Sequence, residues 1–181
     1  MTITDATAVD PAALRRAVEA VTDPELPPLT IRMLGMLHTL RCDDTGHVRV
    51  ELLPTFSGCP ATDVIGGEVE RAVRRVGGVT GVTVRFLFDP PWTPDRIDEA
   101  GRAALRAFGI TPPGEVVRSV ALDGVRDRHR LPLAGEAVAP RVCPYCGSGD
   151  TQTDTVFGPT PCRSIHFCRG CRQPFEAFKD L

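Results

Sequence analysis

The sequence predicts an α/β protein of the α+β type: a small two-layer α-β-β-α-β-α domain followed by a four-cysteine zinc-ribbon module. Two observations lead to this prediction. Helical and strand-like patterns of apolar residues alternate up to about residue 110, and two Cys-x-x-Cys pairs follow much later. We therefore divide the chain into an α/β domain (residues 10–110), a linker (111–141) and a ribbon (142–181).

The first half of the domain begins with a helix and continues with a β-hairpin. Asp10 and Pro11 are typical of a helix cap and a first helical residue. We expect this helix to end at Asp23-Pro24, because the residue before a proline avoids the α region. Segment 37–42 is predicted to form a strand. Apolar and polar residues alternate over 48–52, which predicts a second strand that pairs antiparallel with the first through a polar turn.

The second half adds a crossover helix, a third strand and a third helix. Pro60 is expected to open the crossover helix, and Gly77-Gly78 to end it. Alternation over residues 82–88 predicts the third strand, which a right-handed crossover would place on the same sheet. Thr93-Pro94-Asp95 is typical of another helix start, and Gly109 of its end.

The composition is that of a globular protein. Apolar residues make up 42% of the 181 residues and charged residues 24%, which predicts a packed core. The net charge of −2, with five basic and four acidic residues over 141–181, argues against a nucleic-acid partner. The sequence shows neither a secretory signal nor an apolar run long enough for a membrane span, so we expect a cytoplasmic protein without a membrane partner.

The two cysteine pairs, Cys143 with Cys146 and Cys168 with Cys171, are the strongest signal in the chain. A two-residue gap lets both thiolates of a pair face one ion, and two such knuckles complete a tetrahedron around zinc. The alternative is a redox dithiol or a chance pairing. A module of this size has too small a core to fold unaided, so we expect a structural zinc to stabilise it, with a core separate from that of the first domain.

Two further residues between the knuckles could bind the metal. Cys162 or His166 could replace one of the four ligands, since both residue types bind zinc. The alternative for Cys162 is a small buried apolar residue. Three phenylalanines of this module are expected to form its core rather than an exposed docking patch: Phe167, Phe175 and Phe178.

Cys59 is the main candidate for chemistry in the first domain. It lies in Ser57-Gly58-Cys59-Pro60, which joins the second strand to the crossover helix. A helix N-terminus carries free N–H groups and partial positive charge, so we expect a lowered pKa for the Cys59 thiol. The alternative is a purely structural cysteine. In the same way, Asp23-Pro24-Glu25 could be only a helix stop, and Trp92 only a packing residue.

Several segments together resemble a known domain family. They are Asp23-Pro24-Glu25, Leu34-Gly35-Met36-Leu37, Ser57-Gly58-Cys59-Pro60, Gly81-Val82-Thr83-Val84 and Asp89-Pro90-Pro91-Trp92. Over residues 10–110 they are similar to the iron–sulfur cluster assembly domain shared with bacterial SufT. The fuller segment 54–62, together with 157–162 and 174–179, resembles the PaaD (also called PaaJ) family of phenylacetyl-CoA epoxidase subunits over nearly the whole chain.

This resemblance implies an accessory role in aerobic phenylacetate degradation, in which the protein matures or maintains a metal centre of the epoxidase. Epoxidase subunits or their reductase would be the partners, and an iron–sulfur cluster a transient cargo. The resemblance assigns iron or cluster handling to Cys59, and places Asp23 and Glu25 in the acidic motif. Members often have Gly-Ser-Thr-Ala-Cys where this chain has Gly158-Pro159-Thr160-Pro161-Cys162, which weakens the case for metal donation by Cys162.

Three functional hypotheses stay open. An assembly factor would bind iron or a cluster through Cys59. Because a two-iron cluster needs four ligands, the cluster would bridge two chains of a homodimer, take further ligands from elsewhere, or be held only in passing. A scaffold subunit would only hold the epoxidase together. A thiol enzyme would need a base beside Cys59, and none of the four histidines has an obvious placement there. The sequence has no Glu-x-x-His set of a di-iron oxygenase, which predicts that the chain is not itself an oxygenase.

Overall fold

The structure is a computed structural model that describes residues 9–114 and 140–179. Within these residues the elements follow in chain order: α1 (Pro11–Glu19), β1 (Thr22–Asp23), β2 (Leu26–Thr30), β3 (Leu37–Cys42), β4 (His47–Leu52), α2 (Thr62–Arg74), β5 (Gly81–Phe86), a 3-10 turn (Pro94–Arg96), α3 (Glu99–Ala107), β6 (Ile110–Thr111), β7 (Thr151–Thr155), β8 (Arg163–Cys168) and β9 (Pro174–Phe178). The predicted α/β class is confirmed, and so are the six predicted elements of the first domain. No helix in the two described ranges is long and apolar enough to cross a membrane.

A three-stranded sheet in the order β3-β4-β5 organises the first domain. β3 and β4 pair antiparallel, as the hairpin signal predicts, and β4 and β5 pair parallel with α2 as their connection. Alternate residues of β4 are buried, because one face of the strand turns toward the helices. The buried residues of this layer are Leu14, Val18, Val48, Val50, Leu52, Ile65, Val69 and Val73.

Three predicted helix boundaries are wrong, and each has a local cause. α1 ends at Glu19 rather than at Asp23, because residues 22–30 form the β1–β2 hairpin. α2 begins at Thr62 rather than Pro60, after a turn in which the backbone N–H of Thr62 donates to the Cys59 carbonyl. α3 begins at Glu99, because the carboxylate of Asp98 accepts the Gly101 N–H at 2.7 Å and so caps the helix. The segment that begins at Pro94, where the helix was predicted to start, forms only the 3-10 turn.

The ribbon packs directly on the first domain. β7, β8 and β9 form an antiparallel sheet, and β6, which directly follows α3, pairs parallel with β9 at its edge. The Phe178 side chain is 0% exposed and lies with its ring centroid 6.1 Å from that of Trp92. Phe178 and Cys162 both belong to the hydrophobic core of the first domain.

The expectation of two separate cores is therefore only partly right: Cys143, Cys168 and Phe175 form a small cluster of their own, whereas Phe178 and Cys162 belong to the core of the first domain. The spacing of the cysteines indicates how the ribbon folds, but it carries no information about the surface on which the ribbon packs. Thr111, the first residue of the predicted linker, lies in β6, whereas residues 115–139 of that linker lie outside the described part of the chain. The division into 10–110, 111–141 and 142–181 stays a prediction.

Candidate functional site

The four paired cysteines converge on one point. The sulfur atoms of Cys143, Cys146, Cys168 and Cys171 all lie within 4.8 Å of one another, and could hold a metal ion. The Cys143–Cys171 and Cys146–Cys168 sulfur distances are 3.7 and 3.6 Å. A tetrahedral zinc with Zn–S bonds of about 2.3 Å requires sulfur atoms about 3.8 Å apart, so the thiols present fit this ion.

The two knuckles have matching backbones. In the first, Gly147 has a φ of 72° and its N–H donates to the Cys143 carbonyl at 2.9 Å. In the second, Arg172 has a φ of 61° and its N–H donates to the Cys168 carbonyl at 2.8 Å. A glycine adopts this left-handed region freely, whereas an arginine there is uncommon. The sequence analysis did not identify this role of Arg172.

The thiols of the group titrate differently because their surroundings differ. The backbone N–H of Cys171, 3.5 Å from the Cys168 sulfur, lowers the pKa of Cys168 to about 7. Burial raises the pKa of Cys143, and burial raises the pKa of Cys171 to about 12. A bound dication would favour the thiolate form of all four, because metal ligation requires deprotonated sulfur.

Cys162 and His166 do not join this group. His166 is fully buried, stacks on Phe175 with ring centroids 5.3 Å apart, and has a ring nitrogen 2.9 Å from the Ser164 hydroxyl. Burial lowers the pKa of His166 to about 4, so the ring is a neutral packing and hydrogen-bonding group near pH 7. The geometry therefore opposes the idea that Cys162 or His166 replaces a ribbon ligand.

Cys59 lies in the turn between β4 and α2. Its N–H donates to the Phe56 carbonyl at 3.1 Å, and its carbonyl accepts the Thr62 hydroxyl at 3.0 Å. These two bonds hold the residue three positions before the first residue of α2, rather than at the N-cap. The side chain is half-buried and packs against the core of the first domain.

The predicted lowering of the Cys59 pKa is wrong. Burial raises the pKa of Cys59, and the negative charges of Asp23 and Glu25 and the Cys162 thiolate raise it further, against a lowering by the Ala61 N–H. Because the free N–H groups of α2 begin two residues beyond Cys59, the helix terminus stabilises its thiolate less than expected. Cys59 is thus a thiol that ionises with difficulty on its own.

Asp23 lies in strand β1 and acts electrostatically on Cys59. Only 5% of Asp23 is exposed, and its carboxylate accepts the Glu25 N–H at 2.8 Å. Burial raises the pKa of Asp23, and the nearby Glu25 carboxylate raises it further. The motif Asp23-Pro24-Glu25 is therefore the turn of a hairpin and not a helix stop, and it brings two carboxylates near one thiol.

The ribbon brings a second thiol, that of Cys162, within electrostatic range of Cys59. The Cys162 thiol acts electrostatically on Cys59, and Asp23 acts on both thiols. Arg163, the next residue, is 7% exposed and lowers the pKa of Asp23 through its charge. Its guanidinium donates to Glu176 at 2.7 Å and to the Thr160 hydroxyl at 2.7 Å. No spacing in the sequence indicates this encounter, since about 100 residues separate the two cysteines.

Trp92 has the packing role expected of it. It is 6% exposed, its indole N–H donates to the Leu34 carbonyl at 2.8 Å, and it contacts Phe178 of the ribbon. With residues 54–57, which precede Cys59 in the chain, it also lines a groove. Trp92 therefore joins the ribbon to the wall of the groove beside the candidate site.

Two family models match this chain, one on each module. Residues 11–84 match the iron–sulfur cluster assembly protein family, and residues 128–179 match the PaaD zinc beta ribbon domain. The chain is 37% identical to an Escherichia coli protein described as one of the subunits of 1,2-phenylacetyl-CoA epoxidase, over 88% of this chain and 86% of that protein. This chain belongs to the PaaD family.

The PaaD chain is also similar to Fe–S protein maturation auxiliary factors in its first domain. It is 33% identical to YitW of Bacillus subtilis, over 49% of this chain and 86% of that protein. It is 31% identical to SufT of Staphylococcus aureus, over 47% of this chain and 96% of that protein. The PaaD family thus combines a SufT-like domain with a ribbon of its own, as the sequence motifs indicate.

Proposed function

We propose that this protein is an accessory maturation factor of a phenylacetyl-CoA epoxidase in aerobic phenylacetate degradation. It handles iron or an iron–sulfur cluster as cargo through Cys59, with Asp23 and Glu25 beside it. Its partners are the epoxidase subunits or their reductase, and it has no oxygenase site of its own. The homology to an epoxidase subunit and to Fe–S maturation factors supports both halves of this proposal.

The half-buried Cys59 thiol, on which the buried Asp23 acts electrostatically, is the observation that carries the proposal. A thiol that is half-buried and raised in pKa is a poor nucleophile at neutral pH, because the thiolate is the attacking form. A metal ion, in contrast, attracts both the thiolate and the neighbouring carboxylates, and removes the repulsion between them. The site is therefore better suited to holding a cation than to attacking an electrophile.

A thiol enzyme finds less support. Among the described residues, the groups that act most strongly on Cys59 are a backbone N–H, two carboxylates and a thiol, and no histidine is among them. His47 lies 3.0 Å from the Thr83 hydroxyl, and His166 is enclosed in the ribbon. His129 lies outside the described residues. We therefore assign Cys59 to metal handling rather than to catalysis.

The ribbon has a structural role in this proposal. Zinc bound by Cys143, Cys146, Cys168 and Cys171 would close all four positions of a tetrahedron, so the ion supplies folding energy and leaves no position for a substrate. The ribbon then carries β9 and the Cys162 segment to the first domain. Its exposed Val156 and Phe157, next to that segment, are candidates for contact with an epoxidase subunit.

Anaerobic reconstitution with iron and sulfide tests the function directly. We expect the wild type to take up iron with a visible and Mössbauer signature, and Cys59→Ala to lose it while keeping its zinc and its thermal midpoint. Cys42→Ala is the matched control, because Cys42 is an exposed cysteine in β3. In cells that contain only the Cys59→Ala protein, epoxidase activity should be absent. Full activity there would leave the scaffold hypothesis.

A further inference from the structure

We propose that the open face of the β3-β4-β5 sheet binds an acidic segment of a partner protein, whose carboxylates pair with Arg41, Arg49 and Arg85. The open face is the side of the sheet that carries these three arginines and turns away from the helices. The inference goes beyond the proposed function, because it names a surface to which Cys59 does not contribute and which requires no metal.

The strand register brings the three arginines to one face. Arg41 of β3 lies directly opposite Arg49 of β4 in the antiparallel pair. Arg85 of β5 is the direct partner of Glu51, which lies two residues beyond Arg49 in β4. The two residues that flank Arg49 in β4 are fully buried, so Arg49 and the residues in register with it point to the opposite, open side. All three arginines are exposed, and each of the three strands provides one.

The pairing of Arg41 with Arg49 is unfavourable in the free protein. Like charges directly opposite each other on neighbouring antiparallel strands destabilise the pair. The whole chain has a net charge of −2, so a general excess of basic residues does not explain this local cluster. Carboxylates brought by a partner would replace the repulsion by attraction, because a guanidinium can donate two parallel hydrogen bonds to one carboxylate.

Two acidic residues of the β3–β4 hairpin are bonded to other groups. The Glu51 carboxylate accepts a hydrogen bond from the Thr39 hydroxyl, on the β3 side of the face. The Asp43 carboxylate accepts two backbone N–H groups of its own turn, both at 3.0 Å. None of the ion pairs within residues 9–114 and 140–179 includes one of the three arginines. Their guanidiniums are thus available to an anion from outside.

A hollow of about 320 Å³ lies on this face. Arg49 and Arg85 line it together with Thr83, whose hydroxyl is 3.0 Å from a His47 ring nitrogen. Pockets that enclose small molecules measure about 300–1,000 Å³, so this hollow is at the lower limit, and its two arginines are exposed. It therefore suits the tip of a carboxylate side chain better than an enclosed ligand.

The spread of the charges favours an extended partner over a small anion. With strands about 4.8 Å apart and a rise of about 3.4 Å per residue, the Arg41 and Arg85 backbones are about 12 Å apart. Carboxylates at alternate positions of an extended segment cover such a distance, whereas single exposed ion pairs contribute little in water. Because Glu51 also lines the hollow, a multiply charged phosphate would meet more repulsion there than a single carboxylate.

Binding of a fluorescein-labelled peptide of alternating glutamate and threonine to the full-length protein tests this proposal, read by fluorescence anisotropy at low ionic strength. The double variant Arg49→Gln with Arg85→Gln should weaken binding by about tenfold or more, as the loss of charge-assisted hydrogen bonds implies. Arg32→Gln with Arg75→Gln is the matched control, because it removes the same charge from exposed positions outside the sheet. We expect it to weaken binding by less than about twofold, since the solvent screens distant charges.

The outcomes decide between the occupants of the face. Equal binding by the wild type and the Arg49 and Arg85 double variant would overturn the proposal, as would a wild type that does not bind the peptide. Inorganic tripolyphosphate is the competing probe: if it binds this face more tightly than the peptide does, the ligand is a phosphate and the acidic segment is wrong. A peptide with glutamine in place of glutamate should not bind.

The repulsion between Arg41 and Arg49 allows a measurement without any ligand. Arg41→Gln should raise the thermal midpoint at low ionic strength, and the rise should disappear in about 1 M salt, where the Debye length is about 3 Å. A midpoint that falls instead would mean that these arginines stabilise the fold, and the binding role would lose its support. The same melts show whether the double variants are folded.

Discussion

Replacing Phe178 by alanine should destabilise the first domain, although Phe178 belongs to the ribbon. The side chain is 0% exposed, contacts Trp92 and lies in the main core, so its removal leaves a cavity there. Truncation of such a residue costs about 3–5 kcal/mol, which for a chain of this size lowers the thermal midpoint by roughly 6–20 °C. Scanning calorimetry should show one transition, shifted as a whole.

Phe157→Ala is the matched control, because Phe157 is a ribbon phenylalanine that is 77% exposed. Its removal should change the free energy of unfolding by no more than about 0.5 kcal/mol. The reasoning is refuted if Phe178→Ala melts a small part of the chain early and leaves the main transition at the wild-type temperature. That result would mean that the ribbon merely rests on a domain with its own complete core.

Four more predictions follow from the same contacts. Protein purified without added zinc should contain close to one zinc per chain by metal analysis, and alkylation of the ribbon cysteines in the native protein would contradict this. Cys143→Ser should lower the melting temperature of the first domain as well as that of the ribbon, because the two share the core that contains Phe178. The fluorescence of Trp92, the single tryptophan, follows the first domain, and an unchanged fluorescence transition would contradict this prediction. Cys59 should react with iodoacetamide more slowly than the exposed Cys42 at pH 7, because burial raises its pKa, and mass spectrometry of timed samples checks the order. Asp23→Asn should raise the thermal midpoint at pH 7. The pKa of Asp23 is higher in the folded than in the unfolded state, so the wild type loses stability as pH rises from about 4 through the folded-state pKa. The difference in thermal midpoint between variant and wild type should therefore vanish in melts below about pH 4.

The elements of the fold could be predicted well because their signals are local. Segment 48–52 alternates in polarity and lies in β4, whose alternate residues are buried, and the paired cysteines identify the ribbon. The three boundaries that failed were all predicted from a proline, and at α3 a better cap lies further along the chain. Thr93-Pro94 opens only a single 3-10 turn, whereas Asp98, whose side chain reaches the Gly101 N–H, starts the helix.

The candidate site could be predicted only in part. Cys59 and Asp23 carry motifs that a sequence comparison can find, and the structure brings them together. The pKa of Cys59 could not be predicted, because its direction depends on burial and on charges from distant segments. The electrostatic effect of Cys162 on Cys59 could not be predicted for the same reason: it depends on the packing of β9 and Phe178 on the first domain, which local spacing does not encode.

The distance along the chain between Cys59 and Cys162 sets the order in which the site is built during synthesis. A ribosome adds about 5–20 residues per second and domains fold as they emerge, so the Cys59 turn exists for several seconds before the Cys162 segment is made. Throughout that interval the first domain lacks the Cys162 and Phe178 side chains that pack in its core. Only after the ribbon has been made and has docked would that core be filled, so the surroundings of the Cys59 turn are completed last.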